Sequence, residues 1–293
     1  NDGSIRVWEL DGNQAQLVEF EMPSGCSRAV AYHPTEYAIS CGFDDGSVRV
    51  FDIASTSLLE EYTQHHGKVV DLAYSHGAER LYSAGTDGVI VAYDVLHSYQ
   101  PSRSYSATPS AQPSPCLALT KDDALLVAGS LQPKYLLIFE ASTLSLLRAV
   151  PVASDVHAVA IGPGRTLFMA AADGALSSMP LAAPGAIAGS NTAPMAIATT
   201  AKAHKAAVGT ITLARNGKHV VSGSNDRLVK IWPEKTVREG GPATISDKKA
   251  FASSRCQPYA GHSDHVTRLV FSSDGATLIS VGGGDAIYMW DFK

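Results

Sequence analysis

The heptapeptide DGSVRVF, Asp45 to Phe51, decides the reading of this chain, because six other segments repeat its pattern: a turn dipeptide or its remnant, then alternating apolar residues ending in a large side chain. They are DGSIRVW (Asp2 to Trp8), DGVIVAY (Asp87 to Tyr93), KYLLIF (Lys134 to Phe139), DGALSSM (Asp173 to Met179), DRLVKIW (Asp226 to Trp232) and DAIYMW (Asp285 to Trp290). Their terminal residues lie 43, 42, 46, 40, 53 and 58 apart, a period near 42 with insertions. Asp-Gly marks tight hairpin turns, because glycine accepts the positive φ they need. In the last repeat HVTRLVFS, ATLISVG and AIYMWDF read as three strands of period-two apolarity joined by SSDG and GGD turns. AQLVEFEM, TSLLEEYTQ and TLSLLRAV read as fourth strands, and no segment reads convincingly as a helix. Units of four short strands are too small to bury their own apolar faces, so they must stack around an axis.

On these residues the chain resembles the WD40-repeat β-propellers over essentially its whole length. Ala203-His204 and Gly261-His262 precede an innermost strand, and VVSGSNDRLVKIW and LISVGGGDAIYMW supply the Ser, Asp and Trp of that family's structural hydrogen-bond tetrad. The resemblance implies three tetrads: His65, Ser83, Asp87 and Tyr93; His204, Ser222, Asp226 and Trp232; and His262, Ser280, Asp285 and Trp290. In all three the His-to-Ser spacing is 18 and the Ser-to-aromatic spacing is 10. Asp285 stands one residue later than its counterparts, with Gly284 at the aligned place, which puts its membership in doubt. The second repeat has Cys41 at the Ser place, Ser40 one residue early and Pro23 where the His should stand. The fourth and fifth repeats lack His, Ser and Trp there, so strand pairing and packing should hold them.

The fold expected is an all-β WD40 propeller over residues 1–293 as a single domain. Its repeats run approximately 1–22 (partial), 23–64, 65–113, 114–152, 153–202, 203–260 and 261–293. Seven third strands but only six complete first-and-second pairs are readable, because the chain opens directly in a third-strand turn. Roughly thirty further upstream residues would complete a seven-bladed ring at the repeat period. The rival count closes six blades with residues 11–22 as the missing outer strand. Residues 97–113, 182–200 and 234–257 interrupt the period. The first two are Ser/Pro/Ala-rich and read as loops; by the resembled topology the third decorates the face opposite the His-bearing loops.

Composition bounds the remaining possibilities. The 293 residues are 45% hydrophobic and 17% charged, with four Cys (Cys26, Cys41, Cys116, Cys256) at least fifteen residues apart. That spacing argues against a zinc ribbon or a disulfide-dense scaffold and fits a reducing compartment. The longest uncharged stretch, Gly174 to Ala201, contains three Pro and cannot form an apolar membrane helix. The formal charge of −5 conceals −10 over residues 1–100 and +7 over residues 202–255. Lys235, Arg238, Lys248, Lys249 and Arg255 of the third insertion form the candidate partner-binding patch. An acidic protein surface such as the microtubule lattice suits it better than nucleic acid, since Phe251 alone offers base stacking.

Ser, His and Asp also build nucleophile triads, but a hydrolase needs one exposed set, whereas three equally spaced copies fit a repeated structural network. His65-His66 with His76, and His262 with His265, match no zinc spacing. The glycines of VGGGD precede no helix and so lack a phosphate site. No catalytic residue, cofactor or metal site is expected, nor a membrane span. Within the WD40 superfamily, PCLALTKDDALLVAGSLQPKYLLIFEASTLSLLRAV and QPYAGHSDHVTRLVFSSDGATLISVGGGDAIYMWDF resemble one propeller of the large centriolar and ciliary WD-repeat proteins. That resemblance implies a non-catalytic scaffold with centriolar or tubulin partners, at the cytoskeleton of a centriole, basal body or cilium. A general WD40 adaptor in RNA processing or ubiquitin ligation is the alternative.

Overall fold

A computed structural model describes residues 4–10, 15–21, 25–107, 116–132, 134–185, 197–200, 203–240, 256–284 and 286–292. Their strands form seven sheets, each running in chain order or its reverse. The first pairs β1 (Ile5–Trp8) with β2 (Gln16–Phe20). The second runs β3 (Ser27–Tyr32), β4 (Ala38–Phe43), β5 (Val48–Asp52), β6 (Leu58–Tyr62), and the third β7 (Val69–Tyr74), β8 (Arg80–Gly85), β9 (Val89–Asp94), β10 (Gln100–Ser106). The fourth holds β11 (Cys116–Leu119), β12 (Leu125–Gln132), β13 (Tyr135–Glu140) and β14 (Ser145–Pro151). The fifth holds β15 (Val156–Ile161), β16 (Thr166–Ala171), β17 (Leu176–Pro180) and β18 (Ala198–Thr200). The sixth holds β19 (Val208–Leu213), β20 (His219–Ser224), β21 (Leu228–Pro233) and β22 (Gln257–Ala260), and the last β23 (Val266–Phe271), β24 (Thr277–Gly282) and β25 (Ile287–Asp291). Five four-stranded sheets, one of three strands and one small extra sheet thus make an all-β chain of propeller type. β2 pairs with β1, as an outer strand does with a third strand.

By internal contacts the chain divides into two compact units, Asn1–Leu126 with Phe139–Leu146, and Val127–Ile138 with Leu147–Lys293. In the first, Ile5, Val7 and Phe20 of the small sheet pack on Ile39, Cys41, Phe43, Phe51 and Ile53. Val48, Val50, Leu72, Leu81, Val91 and Tyr93 continue that unit's core. The second unit has one cluster around Phe168, Leu176, Val208, Val220 and Trp232, and another around Val221, Val229, Val266 and Leu278. Each cluster joins facing sheets, because period-two strands present one apolar row to each neighbour.

The turns explain the Asp-Gly signature. Gly46, at φ +86°, lies so close to the His65 carbonyl that a Cβ there would collide with it, and Gly174, at φ +83°, stands in the same way against His204. The sixth sheet places Arg227 in that position at φ +71°. A side chain in the left-handed region costs about 1–2 kcal/mol, partly offset by the entropy glycine adds to the unfolded chain. Arg227→Gly is therefore expected to stabilise the chain by about 0.5–1 kcal/mol, read as a raised midpoint of chemical denaturation.

Three expectations from the sequence are corrected. Residues 182–200 were expected to form a loop, yet residues 198–200 are the outer strand β18, paired to β17. Residues 97–113 were expected to form a loop, yet residues 100–106 are the outer strand β10, paired to β9 with a bulge between Pro101 and Arg103. An edge strand needs little buried surface: half-buried Pro101 and Tyr105 supply it, the Tyr105 ring 4.7 Å from that of Phe139, and proline is tolerated at an edge. The third insertion begins with a helix, α1 (Glu234–Glu239), where no helix was expected. Its single buried residue, Val237, joins the Trp232 cluster, too little signal for a periodic pattern.

Candidate functional site: the buried tetrads

In the first unit the loop before β7, the strand β8, the turn after it and β9 bring together His65, Ser83, Asp87 and Tyr93. His65 Nε2 lies 2.6 Å from Ser83 Oγ, and its Nδ1 lies 3.1 Å from Asp87 Oδ1. Since a carboxylate can only accept, Nδ1 carries the proton and Nε2 accepts from the serine hydroxyl. The amides of His66 and Val89 also donate to Asp87, and Tyr93 Oη stands 3.4 Å from Ser83 Oγ. The second unit repeats this with His204, Ser222 and Asp226, where Trp232 Nε1–H donates to Ser222 Oγ at 2.8 Å. In the last sheet His262 Nε2 lies 2.8 Å from Ser280 Oγ, and Trp290 Nε1 donates to that oxygen at 2.9 Å. Asp285 lies outside the described residues.

The connectivity Ser–His–Asp is that of a nucleophile triad, but its surroundings are not. Ser83, Ser222 and Ser280 are fully buried, and in the latter two sets indole N–H donation also occupies the serine oxygen. No substrate carbonyl reaches such an oxygen without unpacking the sheet. Burial pushes His65 and His204 below the ordinary imidazole value, with the paired carboxylates opposing. Burial alone would raise Asp87 and Asp226, yet the imidazoles and turn amides hold both below the usual carboxylate range.

These shifts share a sign. A histidine depressed in the folded state contributes stability above its unfolded value, about 6.5, that is lost as pH falls; the depressed aspartates lose theirs as pH falls through about 4 and below. The thermal midpoint should be level from pH 8 to 7 and fall progressively below about 6.5. A midpoint unchanged down to pH 5 would contradict buried neutral imidazoles.

Other residues flagged in the sequence are placed differently. Cys41, at the serine place of the second sheet, is buried, its thiol pushed up to about 12 by burial. Ser40 is 2.5 Å from the Tyr74 hydroxyl instead. His76 leaves His65 and His66 to bind Asp123, whose carboxylate accepts from the His76 ring and from the His76 and Gly77 amides. Of the basic insertion, Lys235 and Arg238 are described and exposed on α1. Each faces a glutamate one turn away, Glu239 at 3.8 Å and Glu234 at 3.0 Å. Lys248, Lys249 and Arg255 lie outside the described residues. The helix is anchored where the charge pattern gave no sign: Val237 is buried, and Ser178 Oγ donates to its carbonyl at 3.2 Å.

Two sets of sheet-joining residues escaped the sequence reading. Asp71 and Thr210 occupy the same place on their innermost strands, and each accepts from an amide of the following sheet, Leu117 at 2.8 Å and Leu269 at 3.2 Å. The second set is aromatic: Phe20 packs on Phe51, Tyr62 on Tyr93, Tyr105 on Phe139 and Tyr259 on Trp290, with ring centroids 4.7–5.7 Å apart. In three of these pairs the outer-strand ring precedes its partner by 31 residues, a spacing that could have found them.

Comparisons with known proteins agree with this geometry. A family model described as WDR90/POC16, second beta-propeller, matches residues 1–291. WD repeat-containing protein 90 of Xenopus tropicalis is 26% identical over all of this chain, and that of Homo sapiens 27% identical over 99% of it. The chain spans only 15% and 16% of those proteins' lengths. Centriole proteome protein 16 of Chlamydomonas reinhardtii is 43% identical over 75 residues, 26% of this chain and 4% of that protein. The crystal structure of the computationally designed Ika8 protein aligns with a TM-score of 0.69 at 21% identity, covering 99% of this chain and 78% of that one, a likeness of fold. Among the described residues no helix is long and apolar enough to cross a membrane.

Proposed function

Because the chain belongs to the WDR90/POC16 second-β-propeller family, we propose that residues 1–293 act as one non-catalytic protein-interaction propeller of a centriolar WD-repeat protein, supporting microtubule-associated assembly and cilium formation. The observation that carries the non-catalytic part is the burial of all three Ser–His pairs, which turns a triad-like chemistry into scaffolding. The likeness to Centriole proteome protein 16 supports the centriolar setting. In this reading the small β1–β2 sheet is the outer half of a seventh blade. Val30 and Tyr32 of β3 support that count: they are 44% and 57% exposed, whereas Leu72 and Ile211, at the place of Val30 in their own sheets, are 6% exposed. Inner strands alongside β1 would cover them.

Partners are proteins, with tubulin or centriolar components the first to test, and the insertion beginning at α1 is the contact to alter. Charge reversal at Lys235, Arg238, Lys248 and Lys249 should weaken microtubule cosedimentation with the circular dichroism spectrum unchanged; cosedimentation equal to the parent removes the insertion from the mechanism. Proximity labelling from the tagged full-length protein tests the setting. Neighbours drawn from RNA processing or ubiquitin ligation, without centriolar proteins, would replace this reading.

A further inference from the structure

The fifth sheet keeps the tetrad's aspartate and has lost its histidine. Backbone register fixes the correspondence. The Val152 amide donates to the Lys134 carbonyl as the His204 amide donates to that of Gly174, so Val152 stands at the histidine place. Met169 pairs with Val159 as Ser222 pairs with Ile211, so Met169 stands at the serine place. Asp173 accepts from the Ala175 amide at 3.0 Å, as Asp226 does from Leu228.

Where the sixth sheet fills this place with an imidazole against Asp226, the fifth has a cavity of about 170 Å³. Val152, Met169, Ala171 and Ala175 give it an apolar floor, and Ser177 and Asp173 stand in its wall. Among the described residues no cationic group pairs with Asp173, and the Ala175 amide is its one hydrogen-bond donor.

The geometry points to a binding site for a basic side chain, a lysine of a partner protein, seated where the histidine of the other sheets would lie. Two features select that chemistry. The apolar floor suits a four-carbon stem, which buries its methylenes while keeping its charge at an edge. The solvent-exposed Asp173 carboxylate in the wall meets the ammonium there, as Asp226 meets the His204 Nδ1–H. The room exists because small residues, Ala171 and Ala175, line the place and valine replaces the ring. This site is independent of where in the cell the propeller works.

The test is a titration of the chain, labelled at its methionine methyls, with the peptide acetyl-Gly-Lys-Gly-amide, read by NMR at Met169. The expected result is a saturable shift of the Met169 methyl, with Met289 unmoved. The neutral norleucine peptide should bind at least fivefold more weakly, and Asp173→Asn should lose the response to the same degree. Val152→His, which returns the imidazole to its place, should abolish it. Asp173 sits at an exposed turn, so its asparagine variant retains the fold and keeps the result interpretable. No saturable shift, equal binding of the norleucine peptide, or an unaffected response in Asp173→Asn would each overturn the assignment.

Discussion

Asp226→Ala is expected to cost about 2–3 kcal/mol of unfolding free energy, since it strands the buried His204 ring and two turn amides without their shared acceptor. The carboxylate accepts from the His204 ring and from the Lys205 and Leu228 amides, all near 3.0 Å. Its removal also frees the imidazole to turn, which loosens Ser222 and with it the Trp232 indole. Asp226→Asn keeps one acceptor oxygen and should cost less than half as much. Chemical denaturation of the three proteins makes the comparison, and an alanine variant with the parent's midpoint would remove the tetrad from the stability of the sixth sheet.

Val237→Asp carries the other large effect, about 3–4 kcal/mol, because it sets an unpaired charge among Phe168, Leu176, Val220 and Trp232. The chain can escape that cost only by undocking α1, which would also release the Ser178 hydroxyl from the Val237 carbonyl. Undocking exposes the bonds after Lys235 and Arg238. Limited trypsin digestion should therefore cut the variant there well before the parent, in step with a lowered denaturation midpoint. Equal digestion of both would mean that α1 is held by something other than Val237.

The repeat was legible because a hairpin writes itself locally: Asp-Gly at a positive-φ turn and alternating apolar residues are decided within seven positions. The tetrads were legible for a related reason, since the equal lengths of strand and turn fix the 18- and 10-residue spacings. What could not be read depends on a neighbour. β10 is a strand because Tyr105 finds Phe139, and α1 exists because Val237 finds a hole beside Trp232. Asp71 looks like a surface charge until the Leu117 amide of the next sheet is set against it. The vacated place on the fifth sheet was legible as a departure, but the cavity left behind was not.

The aromatic pairs have an energetic meaning for the whole chain. Tyr62 belongs to its own sheet through the ladder of β6 on β5, and to the next through its ring on Tyr93. Peeling β6 from its sheet therefore uncovers the middle of the following one. Local opening is then not the property of a single repeat: the smallest cooperative unit at each such junction is two repeats, coupled as nearest neighbours in a linear array. A lesion in an outer strand is felt one repeat downstream of where it is made.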